Sequence, residues 1–121
     1  MTTYQRFDVC EVCDVTVVKF RDRQILDRVE ITGLGEELYK LAEKDQVKLL
    51  LDFSSVQFLS SEVLGKLISM QRKVKSRNGT VKLCNLSPEI LEIFTLCNLD
   101  LIFDIKKDLS KPWMISKAFK K

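Results

Sequence analysis

The sequence contains no histidine, the side chain that most often acts as a general base near neutral pH. A serine–histidine or cysteine–histidine pair therefore cannot form, and a zinc site would need four thiolates. One Cys-x-x-Cys is present, but its surroundings, "FDVCEVC", have the character of a strand. Residues three apart in a strand point to opposite faces, so Cys10 and Cys13 are not expected to share a metal ion or a redox disulfide. We expect no metal site and no cofactor.

Long apolar runs and long charged runs are also missing. No segment approaches the roughly 20 apolar residues that span a membrane, and the beginning "MTTYQRFDV" has no signal-peptide core. The 20 basic and 17 acidic residues are interleaved, the net charge is only +3, and no basic stripe with aromatic spacing is present. The four cysteines show no disulfide spacing, which favours a reducing compartment. We expect a cytoplasmic protein that binds neither nucleic acid nor a membrane.

The chain alternates between strand-like and helix-like patterns. Its 121 residues suit a single domain, 1–121. The predicted elements are strands at 7–13 and 15–20, a helix at about 30–44, a strand at 47–53, a helix from about 60, a strand at 80–86, a helix from 88, a strand at 101–105 and a final helix that covers one sheet edge. Alternation from residue 30 onward implies parallel βαβ units with right-handed crossovers. We predict the α/β class, with a mixed central sheet of about five strands, an N-terminal antiparallel strand pair and about four helices.

The segment "DFSSVQFLSSEVLGKL", residues 52–67, carries four serines between a buried strand and a helix. Ser60 is predicted to be the helix N-cap. A phosphate-binding loop is disfavoured because neither GxGxxG nor GxxxxGK[ST] is present and this loop has no glycine before Gly65. A nucleophilic serine is disfavoured because histidine and an SxxK motif are absent. A serine that receives a phosphoryl group at the helix N-terminus is compatible with capping by its neighbour. The residues alone do not rank that hypothesis above a simple cap.

From "LLLDFSS" to "LDLIFDI", residues 49–105, the sequence resembles the STAS domain family, the domain of bacterial anti-sigma factor antagonists. The matching positions follow the family pattern of a strand ending in Asp, an Asp-Ser-x-Gly-Leu-Gly helix start, a second strand and a short helix. They are Asp52, Val56, Phe58, Leu59, Ser61, Leu64, Gly65, Gly79, Leu83, Pro88, Leu99, Phe103 and Ile105. The resemblance implies the STAS fold and a regulator without catalysis that acts by binding proteins.

The resemblance also implies a phosphorylation site. In the family, the serine after the motif Asp is phosphorylated by a kinase that is itself the anti-sigma factor, and a metal-dependent serine phosphatase reverses the modification. Carried over by position, the phosphoacceptor is Ser61, with Ser60 as second choice. The motif Asp-Ser-x-Gly reads Ser60-Ser61-Glu62-Val63 in this chain, so the flanking acid and the glycine are both replaced.

The predicted partner-binding residues surround this helix start. They are Ser55, Gln57, Ser60, Ser61, Glu62 and Gly65, together with Asp22 or Asp27 from the loop after the second strand. An alternative is a STAS scaffold or sensor-complex subunit that is not phosphorylated and acts by oligomerisation, for example as a homodimer, or by binding a small ligand.

Overall fold

The structure is a computed structural model and describes residues 7–12, 14–20, 24–25, 40, 43, 45–106 and 112–119. Its strands are β1 (Phe7–Val12), β2 (Val15–Phe20), β3 (Gln24–Ile25), β4 (Lys48–Asp52), β5 (Phe58–Leu59), β6 (Thr80–Cys84) and β7 (Asp104–Lys106). Its helices are α1 (Ser61–Ser76), α2 (Pro88–Leu96) and α3 (Pro112–Ala118), and a 3₁₀ turn (Leu99–Leu101) lies between α2 and β7.

Five strands form one mixed sheet in the order β1-β2-β4-β6-β7. β1 and β2 pair antiparallel, and every other neighbouring pair in this sheet is parallel. The predicted α/β class, the mixed sheet and the N-terminal antiparallel pair are confirmed. Of the about four helices predicted, three lie in the described part of the chain, and the one predicted at about 30–44 falls outside it apart from Lys40 and Glu43.

The central strand β4 explains why the sheet is covered on both faces. Its run "KLLLD" buries three successive leucines, which is the pattern of a strand without a solvent face. Leu49 and Leu51 point into the larger core beneath α1 and α2, whereas Leu50 points to the opposite side. Phe53 continues the larger core, with its ring centroid 4.9 Å from that of Phe20 and 6.5 Å from that of Phe94.

The opposite face of the sheet is covered by α3. Ile115 packs with Val17, Leu50 and Cys84 from three neighbouring strands, and Phe119 lies against the same cluster. The helix contacts the edge strand β1, in line with the prediction that it covers a sheet edge, but its Ile115 extends the cover to the sheet face. The alternation of side chains along the strands leaves a second apolar face that needs covering, and α3 supplies the cover.

The strand predicted at 101–105 is only partly correct. The 3₁₀ turn extends to Leu101, β7 begins at Asp104, and the Phe103 N–H donates to the Leu99 carbonyl at 2.9 Å. In α2, Ile90 and Phe94 are the buried residues, and Leu91 is exposed, as is Cys97 at the C-cap. A helix only nine residues long meets the core along a narrow stripe, and its remaining apolar residues face outward.

Asp104, on the edge strand β7, provides a prediction about pH. A hydrogen bond from Lys82, helped by the charges of Lys82 and Lys106, lowers the pKa of the Asp104 carboxyl below its usual 3.8 against a smaller opposing effect of burial. A lowered folded pKa stabilises the fold above the unfolded pKa, and this contribution disappears as the pH falls through both values. Because the Asp104 side chain is 44% exposed, we expect Asp104→Asn to lower the unfolding free energy at pH 7 by at most about 1 kcal/mol.

Urea unfolding at neutral pH and at about pH 3 checks this expectation. The difference between the native chain and Asp104→Asn should shrink at the lower pH. Asp100→Asn is the control, because Asp100 is exposed and forms no ion pair within the described residues. An Asp104→Asn difference that is equal at both pH values would contradict the assignment.

Candidate functional site at the start of helix α1

The loop that leads to α1 is fixed at its beginning by Asp52, the last residue of β4. One carboxylate oxygen of Asp52 accepts hydrogen bonds from the Ser54 N–H at 2.9 Å and from the Asn85 side-chain amide at 3.1 Å. The Phe53 N–H donates to the Cys84 carbonyl at 3.1 Å. The ends of β4 and β6 are thus tied together at the carboxyl edge of the sheet, where α/β proteins commonly place functional groups.

The middle of the loop contains the short strand β5, which pairs in parallel with β3. This pairing could not be predicted, because two-residue strands are too short to show a hydrophobic period. Val56 anchors the loop in the core, whereas the Phe58 side chain is 51% exposed. Phe58 therefore presents an apolar ring to solvent two residues before the helix cap.

Ser60 is the N-cap of α1, as predicted. Its backbone is extended, with φ −81° and ψ 162°, and its hydroxyl oxygen accepts a hydrogen bond from the Val63 N–H at 3.4 Å. The cap satisfies one of the N–H groups that a helix start leaves without partners. Glu62 adds a carboxylate in the first turn, where the helix dipole favours negative charge.

Ser61 is the first residue of α1 and is exposed. Within the described part of the chain its hydroxyl takes part in no hydrogen bond, because Ser60 provides the cap. The two adjacent serines thus have separate positions: one hydroxyl closes the helix and the other faces solvent. Phosphorylation of Ser61, or of Ser60, stays a prediction.

The structure brings most of the other predicted site residues to the same end of the fold. Glu62 and Gly65 are exposed on the first turns of α1, and Gly65 follows Ser61 by about one helical turn. Ser55 is half-buried and Gln57 is exposed in the preceding loop. Asp22 and Asp27 lie outside the described residues.

Val63 stands where the family motif has glycine, and the structure explains how it is accommodated. Its side chain is 1% exposed and belongs to the larger core. The replacement therefore adds apolar packing beneath the helix start. It does not change the outward face that carries Ser61.

Gly65 is exposed and has open space around it. A Cβ atom built at this position would meet nothing within 4 Å. Glycine is unfavourable inside a helix relative to alanine, and the fold gives no steric reason for it here.

The exposure of Phe58 is the feature of this region that was not predicted from the sequence. An isolated aromatic residue in a loop is more often buried.

No group of three or more Cys, Asp or Glu side chains in the part of the chain that the structure describes could hold a metal ion. No helix in the same residues has the length and apolar character to cross a membrane.

Several solved structures share this architecture. An anti-sigma-factor antagonist (STAS) domain protein from Planctomyces limnophilus superposes with a TM-score of 0.80 at 21% identity, covering 93% of this chain and 97% of that one. The phosphorylated form of the Bacillus cell fate determinant SpoIIAA gives 0.71 at 17% identity, covering 93% and 98%. A serine-to-glutamate variant of RsbS from Moorella thermoacetica gives 0.72 at 22% identity, covering 96% and 100%.

Identities at this level show that the fold is shared, and the sequence itself provides the link to a family. The family model described as the STAS domain matches residues 11–111. This range contains β2, β4, β6, β7, α1 and α2 in full, together with the whole loop and helix start described above. The chain belongs to the STAS domain family.

Proposed function

We propose that this chain is a regulator without catalytic activity, of the anti-sigma factor antagonist type, whose affinity for a protein partner is switched by phosphorylation of Ser61. The observation that carries the proposal is that two adjacent serines have different positions at the helix start. Ser60 caps α1 through its hydroxyl, and the exposed Ser61 hydroxyl remains accessible to a kinase. The partner is an anti-sigma factor serine kinase in the cytoplasm, and a metal-dependent serine phosphatase resets the switch.

The geometry of the helix start suits a phosphoryl group. The kinase would deprotonate Ser61, the Oγ atom would attack the γ-phosphorus of bound ATP, and ADP would leave. The product adds about −1.5 to −2 charges at neutral pH, beside the N–H groups and the positive dipole end of α1. The modified chain keeps its fold because the cap at Ser60 is untouched.

The same modification changes the surface that a partner would meet. Unmodified, the outward face near the helix start consists of the small residues Ser61 and Gly65 and the flat ring of Phe58. A phosphoryl group would fill this shallow area, must be desolvated on contact, and would stand beside the carboxylate of Glu62. A partner that fits the unmodified surface would therefore be released.

Two of the structural relatives are consistent with this proposal. SpoIIAA has a phosphorylated form, and the RsbS variant replaces a serine with glutamate, which carries a negative charge. Both share this fold at TM-scores above 0.7. They support the idea that a chain with this architecture tolerates a charge at a serine without losing its structure.

The first experiment identifies the modified atom. The chain is purified from its native cell and its intact mass is compared with that of Ser61→Ala and Ser60→Ala. We expect one phosphoryl mass shift in the native chain and in Ser60→Ala, and none in Ser61→Ala. Ser60→Ala also loses the cap, which lowers stability by about 1 kcal/mol, so urea unfolding separates its structural effect from the chemical one. A shift that survives in Ser61→Ala would place the modification elsewhere.

The second experiment tests the switch. Ser61→Ala and Ser61→Asp are used as bait in parallel, and a captured kinase is then purified and titrated with each. We expect the kinase to bind Ser61→Ala and to bind Ser61→Asp at least about tenfold more weakly, a difference of about 1.4 kcal/mol. Equal affinity for the two variants would favour a scaffold that is not switched at this serine.

A further inference from the structure

The exposed large apolar residues are concentrated in one region. Among the described residues they are Phe58, Leu91, Ile93, Leu96, Leu101 and Ile102, so all except Phe58 lie on α2 and the 3₁₀ turn that follows it. Leu96 is 75% exposed and Leu101 is 81% exposed. Single exposed apolar residues need no explanation, but a contiguous group of them usually marks an interaction surface.

The exposed apolar residues of α2 lie on two flanks of the helix. Leu91 and Thr95 line a cleft of about 760 Å³ on the β7 side of α2, so Ile93 and Leu96 occupy the opposite flank. On α1, the residues Leu64, Ile68 and Gln71 share one face because they are spaced by four and three positions.

A hydrogen bond joins that face of α1 to the turn after α2. The side-chain amide of Gln71 donates to the Ile102 carbonyl at 3.1 Å, and Gln71 is buried. Leu64 and Ile68 are half-buried beside it and pack against the larger core. The apolar residues on this flank of α1, on the flank of α2 away from β7 and on the turn after α2 are here called the seam surface, which consists of Leu64, Ile68, Ile93, Leu96, Leu101 and Ile102.

The two sides of the seam surface carry opposite charge. The sixteen residues of α1 include four basic side chains and one acid, which gives 4 − 1 = +3. The stretch from 88 to 101, which contains α2 and the 3₁₀ turn, includes three acids and neither lysine nor arginine, which gives −3. Of these, Arg72 and Lys75 on α1 and Glu89, Glu92 and Asp100 on the other side are exposed and form no ion pair within the described residues.

We propose that the seam surface binds the seam surface of a second copy of this chain. Because α1 and α2 both return antiparallel to the strands of a parallel sheet, they run in the same direction. Consider a twofold axis that lies in the plane of the seam surface, parallel to the helices and between them. It would place each basic α1 opposite the acidic α2 of the partner, and the apolar residues of the two copies would contact each other between them. A twofold contact of this kind is self-complementary and closes as a dimer.

The charge pattern is the reason for choosing a second copy as the occupant. The apolar residues of α2 and the following turn are flanked by acids, and the basic helix α1, which complements those acids, belongs to the same chain. The hydrogen bond between Gln71 and Ile102 places Arg72 at the same end of the seam surface as Asp100. Rotation about a twofold axis parallel to the helices keeps both residues at that end. The contact from Arg72 of one copy to Asp100 of the other would therefore occur twice in the dimer.

Sedimentation equilibrium of the purified chain at increasing concentration tests the proposal without any other protein. We expect a dimer that weakens as salt is raised from low concentration to about 0.5 M, because the flanking charges are exposed. Arg72→Glu alone and Asp100→Lys alone should each weaken dimerisation at least about fivefold, since each places like charges opposite each other twice. Lys117→Glu, an exposed charge reversal on α3 at the other face of the sheet, is the matched control and should leave dimerisation unchanged.

The decisive measurement mixes the two weakened variants. A heterodimer of the Arg72→Glu chain with the Asp100→Lys chain restores an opposite-charge pair at both contacts, so the mixture should dimerise as well as the native chain. Circular dichroism verifies that each variant is folded. A native chain that remains monomeric throughout, or a dimer that is indifferent to these reversals and to Leu96→Glu, would overturn the proposal. Neither result depends on whether Ser61 is phosphorylated.

Discussion

Gly79→Ala is expected to lower the free energy of unfolding by about 2 to 3 kcal/mol. A Cβ atom at Gly79 would lie 2.6 Å from Val74 Cγ1 and 2.7 Å from the Val47 carbonyl oxygen, both far inside van der Waals contact. The carbonyl cannot move aside easily, because it accepts a hydrogen bond from the Thr80 N–H at 2.8 Å. The Gly79 N–H in turn donates to the Val74 carbonyl at 2.9 Å, which fixes the end of α1 against the start of β6.

Urea unfolding measures this effect, and Gly65→Ala is the matched control on the same helix. Gly65 has open space where its Cβ would be, so alanine there is expected to stabilise the chain by about 0.5 to 1 kcal/mol. The two substitutions add the same single methyl group and should shift the unfolding midpoint in opposite directions. Similar small effects for both would show that the junction between α1 and β6 is looser than its contacts indicate.

The elements that were predicted correctly have local causes. Three successive leucines in β4 can be buried only in a central strand, and Ser60 and Ser87 each accept an N–H from three residues ahead, as N-caps do. Pro88 occupies the first position of α2, where its missing N–H has no consequence. Each of these features is decided within a few residues, so the sequence is sufficient to predict it.

The elements that were missed depend on distant contacts. β5 exists because it pairs with β3, and the placement of α3 on a sheet face depends on Val17, Leu50 and Cys84 from three different strands. A 3₁₀ turn precedes β7, and the residue before that turn, Asn98, has a left-handed φ of 58°. A β-rich run such as "LIFDI" carries no information about that turn.

The candidate site also combines features that have local causes with features that depend on distant contacts. The position of Ser61 at a helix start was predictable because a cap, a first-turn acid and an apolar period coincide there. The exposure of Phe58 and of Leu96 was not, because it depends on which parts of the fold cover β5 and α2. The assignment of the cap to Ser60 rather than to Ser61 was predicted from the sequence, and the hydrogen bond from the Val63 N–H to the Ser60 hydroxyl confirms it.

Gly65→Gln is expected to leave the fold intact and to weaken binding of the kinase partner about a hundredfold, or by roughly 2.8 kcal/mol. Glutamine is a good helix former, Gly65 is exposed, and a Cβ atom there would meet nothing within 4 Å, so the side chain can extend into solvent. That same space lies one turn from Ser61, on the surface that the proposed function assigns to the partner. A long side chain there would hold the partner away from the helix start without introducing any charge.

Calorimetric titration with the kinase captured by Ser61→Ala would measure this loss. Ser69→Gln, an exposed change one further turn along α1, is the matched control and should alter the affinity by less than about threefold. Gly65→Ala should fall between the native chain and Gly65→Gln. If Gly65→Gln binds as tightly as the native chain while Ser61→Asp does not, the partner contacts the serine without covering the first turns of α1, and the interface would extend from Ser61 toward Phe58 instead.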